Sequence, residues 1–327
     1  MQEFIIQENE AGQRLDKYLK KKLNQAPTSF LYKMLRKKNI VWNGKKADGS
    51  EKLMAGDSVK FFLADETIEK FSGAVAGREA LSRQYPVTAL EILYEDSDIL
   101  VINKPAGMLS QKARPEDISA NEYIIGYLLA QNKITPEELA TFKPSICNRL
   151  DRNTTGILIA GKTLRGLQTM AEQLKQRDMG KYYCCLVAGD VQETKEIEGW
   201  LVKDEKNNKV TVQKEPSGEE ASYIRTAYRP LKHFSGVTLL EVHLITGRSH
   251  QIRAHLASIG HPIIGDPKYG DKELNGYFRR HCKITSQLLH AGRMEFADGK
   301  VVEAPLPEDF SGVIAYLNKE QHDTDKS

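Results

Sequence analysis

Three short segments hold the residue types that could do chemistry together. The first is Asn148-Arg149-Leu150-Asp151-Arg152-Asn153-Thr154-Thr155-Gly156, an acid set between two arginines just before an apolar run. The second, Lys181-Tyr182-Tyr183-Cys184-Cys185-Leu186-Val187-Ala188-Gly189, places a tyrosine pair at the head of another apolar run. The third, Thr246-Gly247-Arg248-Ser249-His250-Gln251-Ile252-Arg253-Ala254-His255-Leu256, is rich in cations and amides. An Asp flanked by arginines reads in two ways: as a surface ion-pair residue, or as a carboxylate available for attack on carbon or for proton abstraction. In a partly dry pocket a carboxylate drifts toward its neutral form, and a neighbouring cation opposes that drift. Tyrosine adds a flat apolar face and a phenol able to move a proton.

Other motifs lead nowhere. Residues 156 to 163, GILIAGKT, satisfy the letters of G-x-x-x-x-G-K-[ST], but a phosphate-binding loop must wind its N–H groups around an anion after a buried strand. Here Ile157 to Ala160 are themselves the buried strand, so Lys162 reads as a surface charge at a strand end. His243, His250, His255 and His261 lack the spacing of a zinc site, and no metal is expected. Cys147, Cys184, Cys185 and Cys282 form no C-x-x-C pair, which favours reduced structural thiols. The glycines mark turns and build no dinucleotide fingerprint, so no cofactor is expected.

Positioning three separated segments takes a sizeable core, and 327 residues suit two or three domains. Hydrophobic content of 40% and charged content of 28% are those of a soluble globular chain. No run approaches the roughly 18 apolar residues of a membrane span. The start, MQEFIIQENEAGQRLD, has no basic leader before an apolar core, so a cytoplasmic protein without membrane association is expected. From residue 87 onward strands outnumber helices. ALEILYED, SDILVINKPAG, GILIAG, KYYCCLVAG, VTLLEVHLIT and LLHAGRMEFA read as strands. SANEYIIGYLLAQ, opening with a Ser119–Glu122 capping box, reads as a helix, as do LRGLQTMAEQLKQR and RSHQIRAHLASI. Few alternate cleanly, which makes the fold class α+β and not a doubly wound sheet.

The N-terminus is a different object. Residues 12 to 60 hold 13 Lys/Arg against four acids, a local +9 on a chain of net +3 that leaves the remainder at −6. Such a basic block on a near-neutral body is the electrostatic footprint of a nucleic-acid partner, although a solvated helical face is the bland alternative. RLDKYLKKKL puts Leu15, Tyr18, Leu19 and Leu23 on one helical stripe. FLYKMLRKK does the same with Phe30, Leu31, Met34 and Leu35, and Thr28 or Ser29 can cap it. IVWNGKKA runs into an Asn43-Gly44 hairpin turn, and SVKFFL closes the module. Residues 66–86 have mixed charge and no sustained period, which reads as a linker. The tail 319–327 is polar. The expected division is therefore 1–65, 66–86, 87–318 and 319–327.

The first of these stretches, through RLDKYL and the helix leading into IVWNGKKA, resembles the S4-like RNA-binding module. Across nearly the whole chain, in order, VINKPAGMLSQ, RLDRNTTG, K-x-Y-x-C-x-V-x-G, GRSHQIRAHLA, LLHA and EAPLP resemble the RluA family of pseudouridine synthases, closest in layout to its RluC and RluD branch. One departure stands out: Asn148 precedes Arg-Leu-Asp where that family usually has His. The resemblance implies a mixed, mainly antiparallel sheet catalytic domain of pseudouridine synthase type, working without cofactor because reactant and product are isomers. It implies the conversion of uridine to pseudouridine in structured RNA, with large-subunit ribosomal RNA ahead of transfer RNA; the oligomeric state stays open, with a monomer as the default expectation. Asp151, Tyr183 and Arg253 are the implied catalytic residues. Whether Asp151 attacks carbon or abstracts a ribose proton stays open.

A base inside folded RNA must first be flipped out, at roughly a few kcal/mol of unstacking. Arg149, beside the acid, is suited either to filling the vacated stack with its planar guanidinium or to binding phosphate. Arg152, Arg248, His250 and Gln251 are further candidates for RNA contact. On the basic module, Arg14, Lys33, Arg36, Lys37 and Lys38 suit the phosphate backbone. Two rival readings remain: a non-catalytic RNA-binding or ribosome-assembly protein, and a nucleoside or glycoside hydrolase using Asp151. A hydrolase would need a second carboxylate in a matching motif, and none is found.

Overall fold

The computed structural model describes residues 1–72, 78–204, 209–216, 218 and 221–324. The N-terminal module consists of β1 (Gln2–Ile5), α1 (Leu15–Lys22), α2 (Thr28–Arg36), β2 (Ile40–Trp42), β3 (Lys45–Lys46) and β4 (Ser58–Phe61). Its four strands pair antiparallel in the order β1-β4-β2-β3. The apolar stripes of both helices form its core: Leu15, Tyr18, Leu19, Leu23, Leu31, Met34 and Leu35 are buried, and Phe30 packs against them. The lysines Lys17, Lys20, Lys33, Lys37 and Lys38 stay exposed. Asn43 and Gly44 have φ of 48° and 72°, the paired positive values that let a two-residue turn follow the twist of β2 and β3. The predicted side-chain cap on α2 is not formed. Pro27 takes the cap position with extended backbone (φ −59°, ψ 142°), and Thr28 is already helical.

The stretch read as a linker carries two short helices, α3 (Asp65–Phe71) and α4 (Arg78–Gln84), with residues 73–77 lying outside the described residues. Ile68 is buried in the module's core, and Gln25 N donates to Phe71 O at 3.0 Å. Each helix is about two turns long, too short for a 3.6-residue period to declare itself in sequence.

The chain forms two compact units: Met1–Val101, Gln111–Asn148 and Ile159–Glu172 in one, and Ile102–Ser110, Arg149–Leu158 and Gln173–Ser327 in the other. The expected boundaries at residues 65 and 86 fall inside the first. Besides the module, that unit holds β5 (Glu91–Glu95), the start of β6 (Ile99–Lys104), α5 (Ala120–Ala130), α6 (Pro136–Thr141), β7 (Ser145–Ile146), the end of β8 (Thr155–Gly161) and most of α7 (Leu164–Gln176). The capping box at α5 is present, with Glu122 accepting from Ser119 N at 3.0 Å. Thr141 at the end of α6 donates its hydroxyl to the buried Glu10, which ties α6 to the module.

The second unit contains β9 (Gly180–Ala188), β10 (Lys195–Asp204), β11 (Lys209–Gln213), β12 (Ser222–Phe234), β13 (Val237–Leu244), α8 (Gln251–Ser258), α9 (Lys272–Cys282), β14 (Leu289–Glu295), β15 (Val301–Glu303) and α10 (Glu308–Thr324). Its sheet runs β11-β10-β12-β13-β9-β14 in antiparallel pairs, with β15 beside β14 and the start of β8 added parallel to β14. This is the α+β, mainly antiparallel arrangement expected. Phe278 of α9 and Phe310, Val313 and Leu317 of α10 close a core over Leu186, Phe234 and Val237. Ala254 of α8 packs with Leu201 and Ile224. Residues 319–324, read as tail, continue α10, while 325–327 lie outside the described residues. Among the described residues no helix is long and apolar enough to cross a membrane.

Candidate active site

Asp151 lies in the loop before β8, and that loop is braced from within. Lys104, at the end of β6, is wholly buried and donates its ammonium to three carbonyls, those of Pro105, Met108 and Arg152, each at 2.9 Å. Burial lowers its pKa to about 8, against the opposing pull of the Asp151 charge. Ser110 Oγ donates to Leu150 O at 2.7 Å and accepts from Leu150 N at 3.0 Å. Gly156, the second residue of β8, has φ 106°, and any Cβ there would stand 2.2 Å from Ala291 O. Glycine alone lets the loop enter the sheet this close to β14.

Arg253 projects from α8 to meet the acid. Its Nη1 donates to Asp151 Oδ2 at 2.7 Å. Its other edge is clamped by Asp266, with Nε to Oδ2 at 2.6 Å and Nη2 to Oδ1 at 2.9 Å, a two-point grip on the planar guanidinium. Asp266 is completely buried and also accepts from Lys268 N (2.8 Å) and Tyr269 N (3.1 Å). Burial works against the Arg253 charge, but hydrogen bonds and charge from Asp266, joined by Asp151, outweigh it and hold the guanidinium firmly protonated. The same contacts keep Asp266 below the usual carboxylate range despite its burial.

Tyr183 sits in β9 between Val242 of β13 and Ala291 of β14, almost buried. Burial first, and the Asp151 charge second, push its phenol well up, so it stays protonated. His250 stands at the cap of α8 with Nε2 4.0 Å from Asp151 Oδ2 and Nδ1 2.9 Å from the Tyr269 hydroxyl. A carboxylate one-quarter exposed thus meets a clamped guanidinium directly, with the protonated Tyr183 phenol near enough to feel the charge of the acid.

The family model for RNA pseudouridylate synthase matches residues 98–258, a span that contains Asp151, Tyr183 and Arg253. The chain is 32% identical over 318 residues to the ribosomal large subunit pseudouridine synthase C of Vibrio vulnificus, covering 95% of each. It is 30% identical to the ribosomal large subunit pseudouridine synthase D of Nitrosomonas europaea, covering 98% of this chain and 89% of that one. The chain belongs to the RNA pseudouridylate synthase family. Its layout is that of the RluC and RluD branch. The solved structure of human RNA pseudouridylate synthase domain containing 4 shares the fold, with a TM-score of 0.58 at 22% identity over 70% of this chain and 93% of that one.

The synthase brings Asp151, Tyr183 and Arg253 together, but it distributes the predicted RNA contacts unevenly. Arg149 and Arg248 are exposed, with Arg149 Nη2 3.3 Å from Ser249 Oγ. Arg152 is exposed and donates to Gly107 O at 3.1 Å. Gln251 is a correction. It is buried, accepts from Thr246 Oγ1 (2.8 Å) and Arg248 N (3.1 Å), and donates to Arg225 O and Thr226 Oγ1, each at 3.0 Å. With every hydrogen-bonding position engaged it braces the turn before α8 and is not available to RNA. The expectation of one helix carrying Arg248, Gln251 and Arg253 is corrected with it. His250 is left-handed (φ 56°) and α8 begins only at Gln251, so Arg248 lies in the preceding turn.

On the module, Lys33, Arg36, Lys37 and Lys38 are exposed around the end of α2, while Arg14 is drawn into a two-point pair with Asp16 (3.1 Å each). Lys162 is not a free strand-end charge. It is largely buried and bonded to Glu95 Oε1 at 2.7 Å. Asn148, standing where relatives of this branch were expected to carry His, accepts from Ile159 N at 2.8 Å and so needs no charge for that contact.

Four residues of the site escape sequence reasoning: Lys104, Ser110, Asp266 and Tyr269. The one available signal was a lysine ending the apolar run ILVIN, since such a position buries its ammonium unless the chain turns out to water.

Proposed function

We propose that this synthase isomerises uridine to pseudouridine in large-subunit ribosomal RNA, with Asp151 as the reacting carboxylate. The observation that carries the reading is the Asp151–Arg253–Asp266 chain: a partly exposed carboxylate held at 2.7 Å by a guanidinium whose other edge is fixed by a buried acid. In the reaction the N1–C1′ bond of uridine breaks, a C5–C1′ bond forms, the hydrogen on C5 is lost and N1 gains a proton. Nothing is consumed, so no cofactor is required. Tyr183 gives the flipped base a flat wall and a phenol able to move a proton late in the reaction. Arg149, exposed two residues before the acid, is the residue we assign to filling the stack that the base leaves, its planar guanidinium suiting that role.

The ribosomal substrate is supported by the names that relatives of this length carry, and by the basic module, whose exposed lysines suit a phosphate backbone. We place the work of the enzyme in the cytoplasm and its working state as a monomer, which light scattering of the purified chain would check.

The test is tritium release from ribosomal RNA labelled at C5 of uracil, with wild type and Asp151→Asn assayed without ATP or metal. Release by wild type alone supports the reading. Release by both overturns the role of Asp151, and release only from transfer RNA moves the substrate.

A further inference from the structure

His250 faces Asp151 but lies beyond hydrogen-bond distance from it, and its ring is oriented from the opposite side. The Tyr269 hydroxyl accepts from Val210 N at 2.9 Å. The same hydroxyl is 2.9 Å from His250 Nδ1. A backbone N–H can only donate, so it takes one acceptor site on the phenol oxygen, and the hydroxyl proton is then free to turn to Nδ1. A Nδ1 that accepts places the single ring proton on Nε2, the nitrogen 4.0 Å from Asp151 Oδ2. Burial, aided by the charges of Arg253 and Lys268, outweighs Asp151 and holds this imidazole below its usual range, so it is neutral near pH 7.

Two further facts give the arrangement direction. Arg253 Nη1 binds Oδ2, the same oxygen that His250 faces, so both groups address one side of the carboxylate. Tyr269 also lies under Arg253, whose guanidinium carbon is 5.3 Å from the ring centroid. The loop that carries Asp266 and Tyr269 therefore orients both groups. It leaves the sheet at Gly265 (φ 79°), where a Cβ would stand 2.2 Å from Ser286 O. His250 itself holds a positive φ, which a residue with a Cβ adopts only when its surroundings impose it.

We propose that His250 is a positioning residue for Asp151: Tyr269 fixes it as the Nε2–H tautomer, that N–H faces Oδ2, and Oδ1 is left as the oxygen that reacts with uridine. This rests on Asp151 being the reacting carboxylate. It differs from a phosphate contact, which would call for an imidazole turned out to solvent, whereas the His250 side chain is only 14% exposed. His250 instead acts through the acid, by restricting the rotation of a carboxylate whose single hydrogen-bonded side-chain partner among the described residues is Arg253.

The test uses the full chain and single-turnover tritium release. His250→Ala is expected to lower the rate at saturating RNA by about a hundredfold, the scale of a small misplacement at a reacting centre. RNA affinity should stay within about twofold of wild type, since only a step after binding is touched. His250→Gln, which keeps a side-chain N–H, should recover much of the rate. Nitrogen NMR should show wild-type Nδ1 unprotonated and Nε2 protonated, and Tyr269→Phe should disturb that pattern. A protonated Nδ1 in wild type overturns the proposal, as does a His250→Ala variant that loses RNA affinity while keeping its rate at saturation. Asp151→Asn assayed alongside separates the two readings. Activity retained there removes the role of the acid, whereas an effect of His250 confined to affinity removes only the role given to His250.

Discussion

Asp266 holds Arg253 through Nε and Nη2, which leaves Nη1 as the one edge of the guanidinium presented to Asp151. Without Asp266 the guanidinium would be a buried cation with a single anionic partner, free to swing toward that carboxylate and cover both of its oxygens. Asp266→Asn should therefore cost stability and rate together. Breaking a buried pair costs about 3–5 kcal/mol when the remaining charge is left uncompensated, and because Arg253 keeps Asp151 the loss should lie at the lower end of that range. Urea melts would read that loss, and tritium release under folding conditions should fall as well. A variant as stable as wild type would show that Arg253 does not depend on Asp266.

The motif residues of this site were legible in sequence and their supports were not, for a physical reason. Asp151, Tyr183 and Arg253 lie in segments whose residue types stand out beside apolar runs. Asp266 lies in GDPKYG, where an acid next to proline reads as an ordinary turn, and only the fold reveals that it is buried against Arg253. Gln251 misled because the start of α8 depends on a left-handed His250, a conformation that residue type does not announce. β5, β6, β8, β9, β13 and β14 were legible through their apolar runs, whereas β7, β10, β11 and β12 went unread and α3 and α4 were too short to be seen. Lys162 shows the limit of charge as a guide: its ammonium is held by Glu95, a residue 67 positions away.

Replacing the acid itself separates binding from chemistry. Asp151→Asn keeps the shape of the side chain and can still accept from Arg253, so RNA affinity should change by less than about twofold. The isomerisation rate should fall by more than about a thousandfold, as expected when an essential reacting group is removed. Filter binding and tritium release on the same preparation would read both quantities. Tyr183→Phe is expected to fall between, retaining the flat face and losing only the proton.

Lys104 makes a prediction about pH. Its folded pKa is lowered to about 8 by burial, below its value in the unfolded chain. Between about pH 8 and the ordinary lysine range near 10.4 the unfolded chain binds more protons than the folded one, so this group makes stability rise with pH there. Below about pH 8 both states are protonated and the burial penalty is constant. Lys104→Met removes the titration and also the three carbonyl contacts that shape the Asp151 loop. The stability of wild type relative to this variant should therefore climb from pH 8 to pH 10, and the variant should lose rate at every pH. A flat difference across that window would mean that Lys104 is not buried in the way its contacts indicate.

The basic module offers a prediction in which chemistry is untouched. Lys33, Arg36, Lys37 and Lys38 are exposed at the end of α2 and close together in the chain, and they lie in a different compact unit from Asp151. If they bind phosphates, each contact adds about 0.7 to 0.9 to the slope of log affinity against log salt. Changing all four to Gln should then weaken RNA binding at low salt and flatten the slope by up to about 3, with the single-turnover rate at saturating RNA unchanged. A surface that is merely solvated would leave the slope as it is, because no counterions would be released on binding. Titrations at several salt concentrations, with Asp151→Asn used as substrate-trapping enzyme so that the RNA is not altered during the measurement, would distinguish the two.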